Sequence, residues 1–375
     1  MADKIKKFFE CYIPVTVCNL RCDYCYVTQY KWKKGLMPKL KYSPERIARA
    51  FSRERLGGAC YFSICGGGET LLASEVVDIA VKLLEEGHFV NITTNGTITK
   101  NIQSLISRLP EEALSRLHFA ISLHYLELKR LNLLDVYAKN VEKIRAAGCS
   151  IVIQMNLYDG YLPFIDEIKE YSLKHFGALP QLAATREESD GCKLHTKLSK
   201  DEYLKVGQQF HSPLFEFTMR NFNVKRCEYC YAGAWSYTAD LADGWVRPCY
   251  CNGEPVDVFQ DITKPFPVEP VGEKCRHSFC TNSSHFMSLG VIPEMYGDIS
   301  YADLRNRPEA NWYTDRMREF LSSKLCESNQ TYTPFQKALI SSRIYCRSLS
   351  VRVVNKVART IWGKNLMSRI YPKKK

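Results

Sequence analysis

The first half of the chain alternates short apolar runs, rich in β-branched and aromatic residues, with longer segments in which apolar residues recur every three or four positions. The short runs predict strands and the longer segments predict helices. Strands that alternate with helices are typical of a parallel sheet. The predicted strands are Cys11 to Val17, Ala59 to Cys65, Phe89 to Thr94, Leu117 to Leu123, Ser150 to Met155 and Leu179 to Ala184.

Six such units predict an incomplete barrel. A closed barrel of eight strand and helix units takes about 250 residues, whereas the sixth predicted strand already ends at Ala184. Gly87 and Gly148 each follow a segment of helical period and can end it, because glycine readily adopts a left-handed conformation. The expected fold is therefore α/β, a partial (β/α)6 TIM-like barrel whose open side could admit a substrate.

The helix and strand rhythm stops after Ala184, where polar sequence with many cysteines takes over. We therefore place a domain boundary near Ser189. The predicted segments are the partial barrel in 1–188, a smaller Cys-rich C-terminal domain in 189–300, a helical extension in 301–330 and a basic amphipathic tail in 331–375.

The formal net charge of +12 comes from the tail. Residues 331–375 contain eleven Lys and Arg and no Asp or Glu, which leaves 41 basic and 40 acidic residues elsewhere. A neutral body argues against a nucleic-acid partner. Between Ile340 and Trp362, basic residues lie beside apolar residues of helical period, which suits an anionic membrane surface or an acidic partner. A helix packed back on the body is the alternative.

Sixteen cysteines require an explanation. The N-terminal sequence MADKIKKFFE has too short an apolar stretch for a secretory signal, and no run of about 18 apolar residues follows, so we expect a cytoplasmic protein with any membrane contact peripheral. Because the cytosol keeps thiols reduced, metal sites explain the cysteines better than disulfides do. Three cysteines lie between Cys18 and Cys25, and six lie between Cys227 and Cys280.

Polar residues follow the predicted strands, at the end of a parallel barrel where reactive groups gather. They are Cys18 to Cys25 (CNLRCDYC), Gly66 to Glu69, Thr93 to Gly96, Ser122 with His124, and Gln154 with Asn156. Three thiolates spaced C-x3-C-x2-C can hold an iron-sulfur cluster from one loop. A zinc site completed by a histidine is the alternative. His124 itself is interpreted as a core or rim histidine.

The loop CNLRCDYC resembles the cluster-binding loop of the radical S-adenosylmethionine (radical SAM) superfamily. The resemblance implies that Cys18, Cys22 and Cys25 ligate a 4Fe-4S cluster whose remaining iron is chelated by S-adenosylmethionine. Gly66 to Glu69 resembles the family's Gly-Gly-Glu strand end, which meets the methionine ammonium, although Thr70 stands where many relatives have proline. The residues implied to contact S-adenosylmethionine are Tyr24 (at the adenine), Gly66, Gly67, Gly68, Glu69, Thr94, Asn95 and Ser122, with Gln154 and Asn156 as further candidates. For the polar residues after Glu69, an ordinary strand end of a parallel sheet is the alternative.

The second cysteine group resembles the auxiliary-cluster domain called SPASM or, with a single cluster, twitch. The resemblance implies a second 4Fe-4S cluster held by Cys230, Cys249, Cys275 and Cys280, with Cys227 or Cys251 as a substitute ligand. Asp243-Gly244 is a plausible tight turn for the hairpin of that domain. A structural zinc ribbon, which His277 could join, is the alternative.

The implied function is that of an enzyme that reductively cleaves S-adenosylmethionine to a 5'-deoxyadenosyl radical, which abstracts hydrogen from an unidentified substrate. By the same resemblance, the substrate is a peptide or protein, or a small molecule of the sugar type, and the electron donor is a protein such as flavodoxin or ferredoxin. The alternative is a non-catalytic iron-sulfur or zinc scaffold, which has no need of Gly66 to Glu69.

Overall fold

The computed structural model describes residues 3–29, 35–187, 190–224, 228–250, 253–273, 275, 280, 284–293, 299–325, 329–343, 345–346, 349–350 and 353. Of the predicted site residues, Cys227, Cys251 and His277 lie outside these ranges, as does Ser189 at the predicted domain boundary.

Nine of the described strands form one sheet, in the order β11-β10-β9-β1-β2-β3-β4-β5-β6. Their bounds are β1 Phe8–Ile13, β2 Tyr61–Gly66, β3 Phe89–Thr94, β4 Leu117–Ser122, β5 Ser150–Leu157, β6 Gln181–Ala184, β9 Ser236–Asp240, β10 Trp245–Arg247 and β11 Val256–Asp257. Strands β7 (Arg186–Glu187) and β8 (Asp190–Leu194) form a separate antiparallel pair.

Helices connect and flank these strands. They are α1 Tyr26–Gln29, α2 Pro44–Ala50, α3 Arg53–Leu56, α4 Ser74–Glu85, α5 Thr99–Ser107, α6 Glu111–Leu114, α7 Tyr125–Arg130, α8 Leu134–Ala146, α9 Ile165–Phe176, α10 Lys200–Gln208, α11 Pro213–Asn221, α12 Ser284–Ser288, α13 Tyr301–Arg305 and α14 Asp315–Ser322. Short 3-10 turns span Thr70–Leu72, Asp159–Phe164 and Pro308–Ala310. Within the described residues, no helix has both the length and the apolar character needed to span a bilayer.

The six predicted strands of the barrel are confirmed, and β1 to β6 pair in parallel in chain order. The predicted bounds of the first strand were wrong, since β1 begins at Phe8 and ends at Ile13. Phe8 and Phe9 are fully buried, which favours a start of the strand at Phe8. After Ile13 the chain leaves the sheet as a loop. This loop carries Cys18, Cys22 and Cys25.

The sheet continues into the predicted Cys-rich segment. Strand β9 pairs in parallel with β1, and β10 pairs with β9 in an antiparallel hairpin. Gly244 lies in the turn with φ of 87°, which confirms the predicted turn at Asp243-Gly244. Helices α10 and α11 also lie downstream of Ala184, where the sequence pattern predicted no regular helices. The predicted domain boundary remains a prediction.

Two glycines end helices as predicted. Gly87 follows α4 with φ of 86°, and Gly148 follows α8 with φ of 81°. A left-handed glycine just after the last helical turn lets the chain reverse toward the next strand without a side-chain clash. Both glycines therefore return the chain to the sheet at the start of β3 and β5.

The two faces of the sheet differ in polarity, because successive side chains of a strand point to opposite faces. On the outer face, the ring of Phe9 stacks on Phe62 at 4.7 Å between centroids. On the inner face, Glu10 and Asn91 occupy one register row with Ser63 and His118. Burial raises the pKa of Glu10 to about 7. The carboxyl ends of β1 to β6 lie above this row and carry the candidate site.

Candidate cluster and cofactor site

Three cysteine thiols come together in the loop after β1. The backbone N–H of Cys25 donates to the carbonyl of Cys22 at 3.1 Å, and the N–H of Leu20 donates to Cys18 Sγ at 3.4 Å. Burial raises the pKa of the Cys18 thiol to about 11 and raises that of Cys22 further, with smaller contributions from the neighbouring thiols. Cys22 is buried and Cys18 is half-buried. Thiols whose pKa is raised in this way form a donor set that a bound cation would stabilise.

This donor set fits a cluster. Among the described residues, no three His, Cys, Asp or Glu side chains are arranged to hold a single metal ion. In a 4Fe-4S cluster, each thiolate binds a different iron, so the sulfur atoms need not converge on one point. Cys18, Cys22 and Cys25 lie on one loop, so they would hold three irons of such a cluster and leave the fourth iron to another ligand.

A glycine-rich loop after β2 packs directly against the chain that leads to Cys18. The N–H of Gly68 donates to the carbonyl of Val15 at 2.5 Å, and the N–H of Glu69 donates to that of Val17 at 2.8 Å. A Cβ atom at Gly68 would lie 2.1 Å from the Val17 oxygen, so only glycine fits. Thr70, which stands where relatives have proline, accepts a hydrogen bond at Oγ1 from the N–H of Gly66 at 2.9 Å.

The carboxylate of Glu69 is buried at the end of the glycine loop, with 2% of the residue exposed. Its Oε1 accepts hydrogen bonds from the Thr94 hydroxyl at 2.6 Å and from the Leu71 N–H at 3.0 Å, and its Oε2 accepts one from the Asn95 N–H at 2.7 Å. Burial raises the pKa of Glu69, and these donors oppose the rise. No salt bridge to Glu69 occurs within the described part of the chain, so a cationic ligand group would complete its environment.

Asn95 connects the end of β3 to the cysteine loop. Its Nδ2 donates to Asn19 Oδ1 at 2.8 Å, and its Oδ1 accepts from the Thr97 hydroxyl at 2.6 Å. Asn19 Nδ2 in turn donates to the Thr97 hydroxyl at 2.8 Å. The Asn95 side chain therefore holds the loop between Cys18 and Cys22 in place. The sequence suggested a cofactor contact for Asn95, and this tethering role was missed.

Tyr24 is held by two side chains from other elements. Its hydroxyl lies 2.6 Å from His124 Nδ1 and 3.0 Å from the Tyr161 hydroxyl. Burial lowers the pKa of His124 to about 4, so the imidazole is neutral at neutral pH and Nδ1 can accept the Tyr24 proton. The Tyr158 ring lies 5.0 Å from that of Tyr24. His124 thus lines the site, as its position at the end of a predicted strand suggested, and it does so by holding Tyr24.

A pocket of about 340 Å³ opens between these elements. The predicted residues that line it are Cys18, Cys22, Cys25, Tyr24, Gly66, Gly67, Gly68, Glu69, Thr94, Asn95, Ser122 and Asn156. Gln154 lies beside Ser122 in the register of β4 and β5 but does not line this pocket. Thr93 and His124, which the sequence placed among the polar residues at the strand ends, also line it, as does Arg186, which the sequence did not single out. Arg186 follows β6 by two residues, so its place at a strand end was the signal that could have found it.

The second cysteine group also converges in part. Cys230 is half-buried, and desolvation raises the pKa of its thiol, with further contributions from nearby Cys280, Cys275 and Cys249. The backbone of Cys230 pairs with Gly272, whose N–H donates to the Cys230 carbonyl at 2.7 Å. The four predicted ligands therefore lie in one neighbourhood, while the substitute ligands Cys227 and Cys251 lie outside the described residues.

Residues 12–172 match the family model of the Radical SAM superfamily. The matched segment begins in β1 and ends within α9, so it contains the three thiols, the glycine loop and Glu69. This part of the chain is therefore similar to the radical SAM domain, the domain of enzymes that use S-adenosylmethionine. No curated protein matches the sequence significantly.

Solved structures with a similar fold include three S-adenosylmethionine complexes. SuiB of Streptococcus suis bound to S-adenosylmethionine shares 16% identity at a TM-score of 0.47, with 69% of this chain and 64% of SuiB covered. The protein anSMEcpe with bound AdoMet shares 14% identity at a TM-score of 0.45, with 93% of this chain and 100% of that chain covered. BtrN in complex with AdoMet and 2-DOIA shares 15% identity at a TM-score of 0.35, with 88% and 95% covered. This chain thus spans less than two thirds of SuiB, and likeness at these levels says nothing of its reaction.

Proposed function

We propose that this chain, whose residues 12–172 are similar to the radical SAM domain, is an enzyme that reductively cleaves S-adenosylmethionine and removes a hydrogen atom from a substrate. The observation that carries the proposal is one pocket lined by three clustered thiols and a buried carboxylate. The substrate is a peptide or protein, or a small molecule of the sugar type. The electron donor is a small redox protein such as flavodoxin or ferredoxin.

Different residues of the pocket would bind different groups. Cys18, Cys22 and Cys25 would hold a 4Fe-4S cluster, and Glu69 would accept the ammonium of the methionine moiety. When bound, cluster and S-adenosylmethionine together supply a 5'-deoxyadenosyl radical as the hydrogen-abstracting group. Tyr24 offers an aromatic ring to the adenine.

The rest of the site orients these groups. Asn95 and the glycine loop fix the cysteine loop from two sides, through Asn19 and through the carbonyls of Val15 and Val17. Because these contacts are made by the protein alone, the cofactor would bind to a site that is already shaped. A second 4Fe-4S cluster would be held by Cys230, Cys249, Cys275 and Cys280, with Cys227 nearby in sequence. It would act on the substrate or take part in electron transfer.

Anaerobic turnover tests the proposal. The reconstituted chain is mixed with S-adenosylmethionine and a chemical reductant, and 5'-deoxyadenosine is measured by mass spectrometry. We expect product from the native chain and none from the variant with Cys18, Cys22 and Cys25 all replaced by alanine. The scaffold alternative predicts no product from either. Product from the alanine variant would overturn the proposal.

A further inference from the structure

The start of the C-terminal tail is anchored to the body at Asn329, Gln330 and Tyr332. The Trp235 indole donates to Asn329 Oδ1 at 2.8 Å, the Gln330 N–H donates to the Tyr231 hydroxyl at 2.6 Å, and Tyr332 is 7% exposed. These contacts fix where the tail leaves the body.

A helix begins directly after this anchor. Thr333 and Gln336 form a reciprocal cap, in which the Gln336 N–H donates to the Thr333 hydroxyl at 3.3 Å and the Thr333 N–H donates to Gln336 Oε1 at 2.9 Å. Pro334 occupies the first helical position, which proline favours. Residues 334–343, 345–346, 349–350 and 353 are helical. The start of this helix is therefore encoded locally and does not depend on packing.

This helix exposes apolar side chains that a packed helix would bury. Phe335 is 78% exposed, and the other large apolar side chains that it exposes are Leu339, Tyr345, Leu349 and Val353. Phe335, Leu339, Leu349 and Val353 are separated by four, ten and four residues, so they recur on one side of a helix. The expectation that the tail packs back on the body does not hold for these residues.

We propose that this tail helix binds the surface of a membrane that contains anionic phospholipids. The tail carries eleven basic residues and no acidic ones, while the rest of the chain is neutral. Apolar side chains at the level of the acyl chains and basic side chains at the headgroups are the two requirements of such binding. A bilayer offers negative charge along its whole surface, which matches basic residues spread from Lys337 to the final Lys373, Lys374 and Lys375. A single acidic groove on a protein would match only part of this length.

Vesicle flotation with the full chain tests the inference. We expect flotation with vesicles of phosphatidylcholine and phosphatidylglycerol, none with phosphatidylcholine alone, and loss of binding when the chain is cut after Thr333. The double variant Phe335→Ser, Leu339→Ser should bind at least tenfold more weakly. The double variant Lys337→Gln, Arg343→Gln should also bind vesicles at least tenfold more weakly, because each charge contributes roughly fivefold to the affinity.

Matched controls lie on the body. The double variant Leu173→Ser, Val268→Ser removes two apolar side chains that are 54% and 58% exposed. The double variant Lys200→Gln, Lys205→Gln removes two exposed charges. Both double variants should bind vesicles like the native chain. The inference would be overturned by vesicle binding that survives the truncation, by equal binding to uncharged vesicles, or by an oligomer seen by light scattering that Phe335→Ser with Leu339→Ser dissolves. Binding to polyglutamate without binding to vesicles would overturn it in favour of an acidic protein partner. Cleavage of S-adenosylmethionine by the truncated chain in solution should be unchanged, so the two proposals fail separately.

Discussion

The hydroxyl of Tyr24 and Nδ1 of His124 lie 2.6 Å apart, although the two residues are separated by 100 positions in the sequence. The hydrogen bond fixes the angle of the Tyr24 ring beside the cysteine loop. Because the pKa of His124 is lowered to about 4, its imidazole remains an acceptor throughout the neutral range. His124 thus positions a neighbour of the cluster without touching the thiols.

We expect Tyr24→Phe and His124→Leu to raise the KM for S-adenosylmethionine about five- to tenfold, with a smaller change in kcat. The loss of one neutral hydrogen bond costs about 1 kcal/mol, and the freed ring binds the cofactor less well. Steady-state kinetics of 5'-deoxyadenosine formation measure both constants. Tyr171→Phe is the control, since it removes a hydroxyl that donates to the Leu134 carbonyl on the outer helices. An equal rise in KM for the control would contradict the role of Tyr24.

Glu69 should determine the affinity for S-adenosylmethionine. Glu69→Gln places an amide NH2 against donors from Thr94, Asn95 or Leu71 and removes the negative charge opposite the ligand's ammonium. Hydrogen bonds to charged groups contribute about 1.5 to 3 kcal/mol, so we expect affinity to fall at least tenfold. Equilibrium dialysis with the cluster-loaded chain gives the dissociation constant. Glu142→Gln, at an exposed position of α8, should leave it unchanged, and unchanged affinity in Glu69→Gln would refute the assignment.

Gly68 should control cluster loading. In Gly68→Ala, the new Cβ would lie 2.1 Å from the Val17 oxygen, so the chain that leads to Cys18 has to move. We expect iron content to fall by at least half after identical reconstitution. Gly66→Ala is the matched control, because its nearest contact is 3.3 Å and can relax. Equal iron in both variants would show that the close approach does not set the geometry of the cysteine loop.

The sequence predicted those parts of the fold that depend on local pattern. Strands β2 to β6 follow from apolar runs, and Gly87, Gly148 and Gly244 mark the turns that they were expected to mark. The start of β1 was missed because Phe8 follows Lys6 and Lys7, so the run looks like a charged terminus. The pairing of β9 with β1 was missed because no local pattern specifies a partner more than 200 residues away.

The same limit applies to the site. Cys18, Cys22 and Cys25 are recognisable from their spacing together with the residues around them, and Glu69 from the glycines before it. His124 and Arg186 act through contacts with elements distant in sequence, which spacing does not show. Thr70 departs from the resemblance, yet its hydroxyl accepts the Gly66 N–H, a bond that the proline ring could not accept.

The second cysteine group gives a prediction about iron. Cys249→Ser should lower the iron content from about eight to about four per chain, with 5'-deoxyadenosine still formed, because the first cluster is separate. Iron and sulfide analysis with electron paramagnetic resonance measures both. Cys149→Ser, a buried cysteine at the start of β5, is the control. Loss of one zinc ion, with the iron content unchanged, would favour the zinc ribbon instead.

Buried histidines should make the chain less stable in acid. Burial lowers the pKa of His88 to about 4 and that of His118 to about 3, against an ordinary value near 6.5. Below about pH 6.5, the unfolded chain therefore binds protons that the folded chain excludes, and stability falls until the pH reaches the folded pKa. Above about pH 7, these histidines do not make the stability depend on pH.

Glu10 has the opposite effect on the pH dependence of stability. Its pKa is raised to about 7, so the folded chain holds a proton that the unfolded carboxyl releases above about pH 4.5, and stability falls as pH rises from there toward 7. Glu10→Gln should therefore make stability fall more steeply as the pH is lowered. His88→Gln should reduce the loss of stability between about pH 6.5 and about pH 4 by a few kcal/mol. Urea unfolding across that range measures both slopes. Parallel curves for the native chain and both core variants would mean that neither residue is perturbed by its burial.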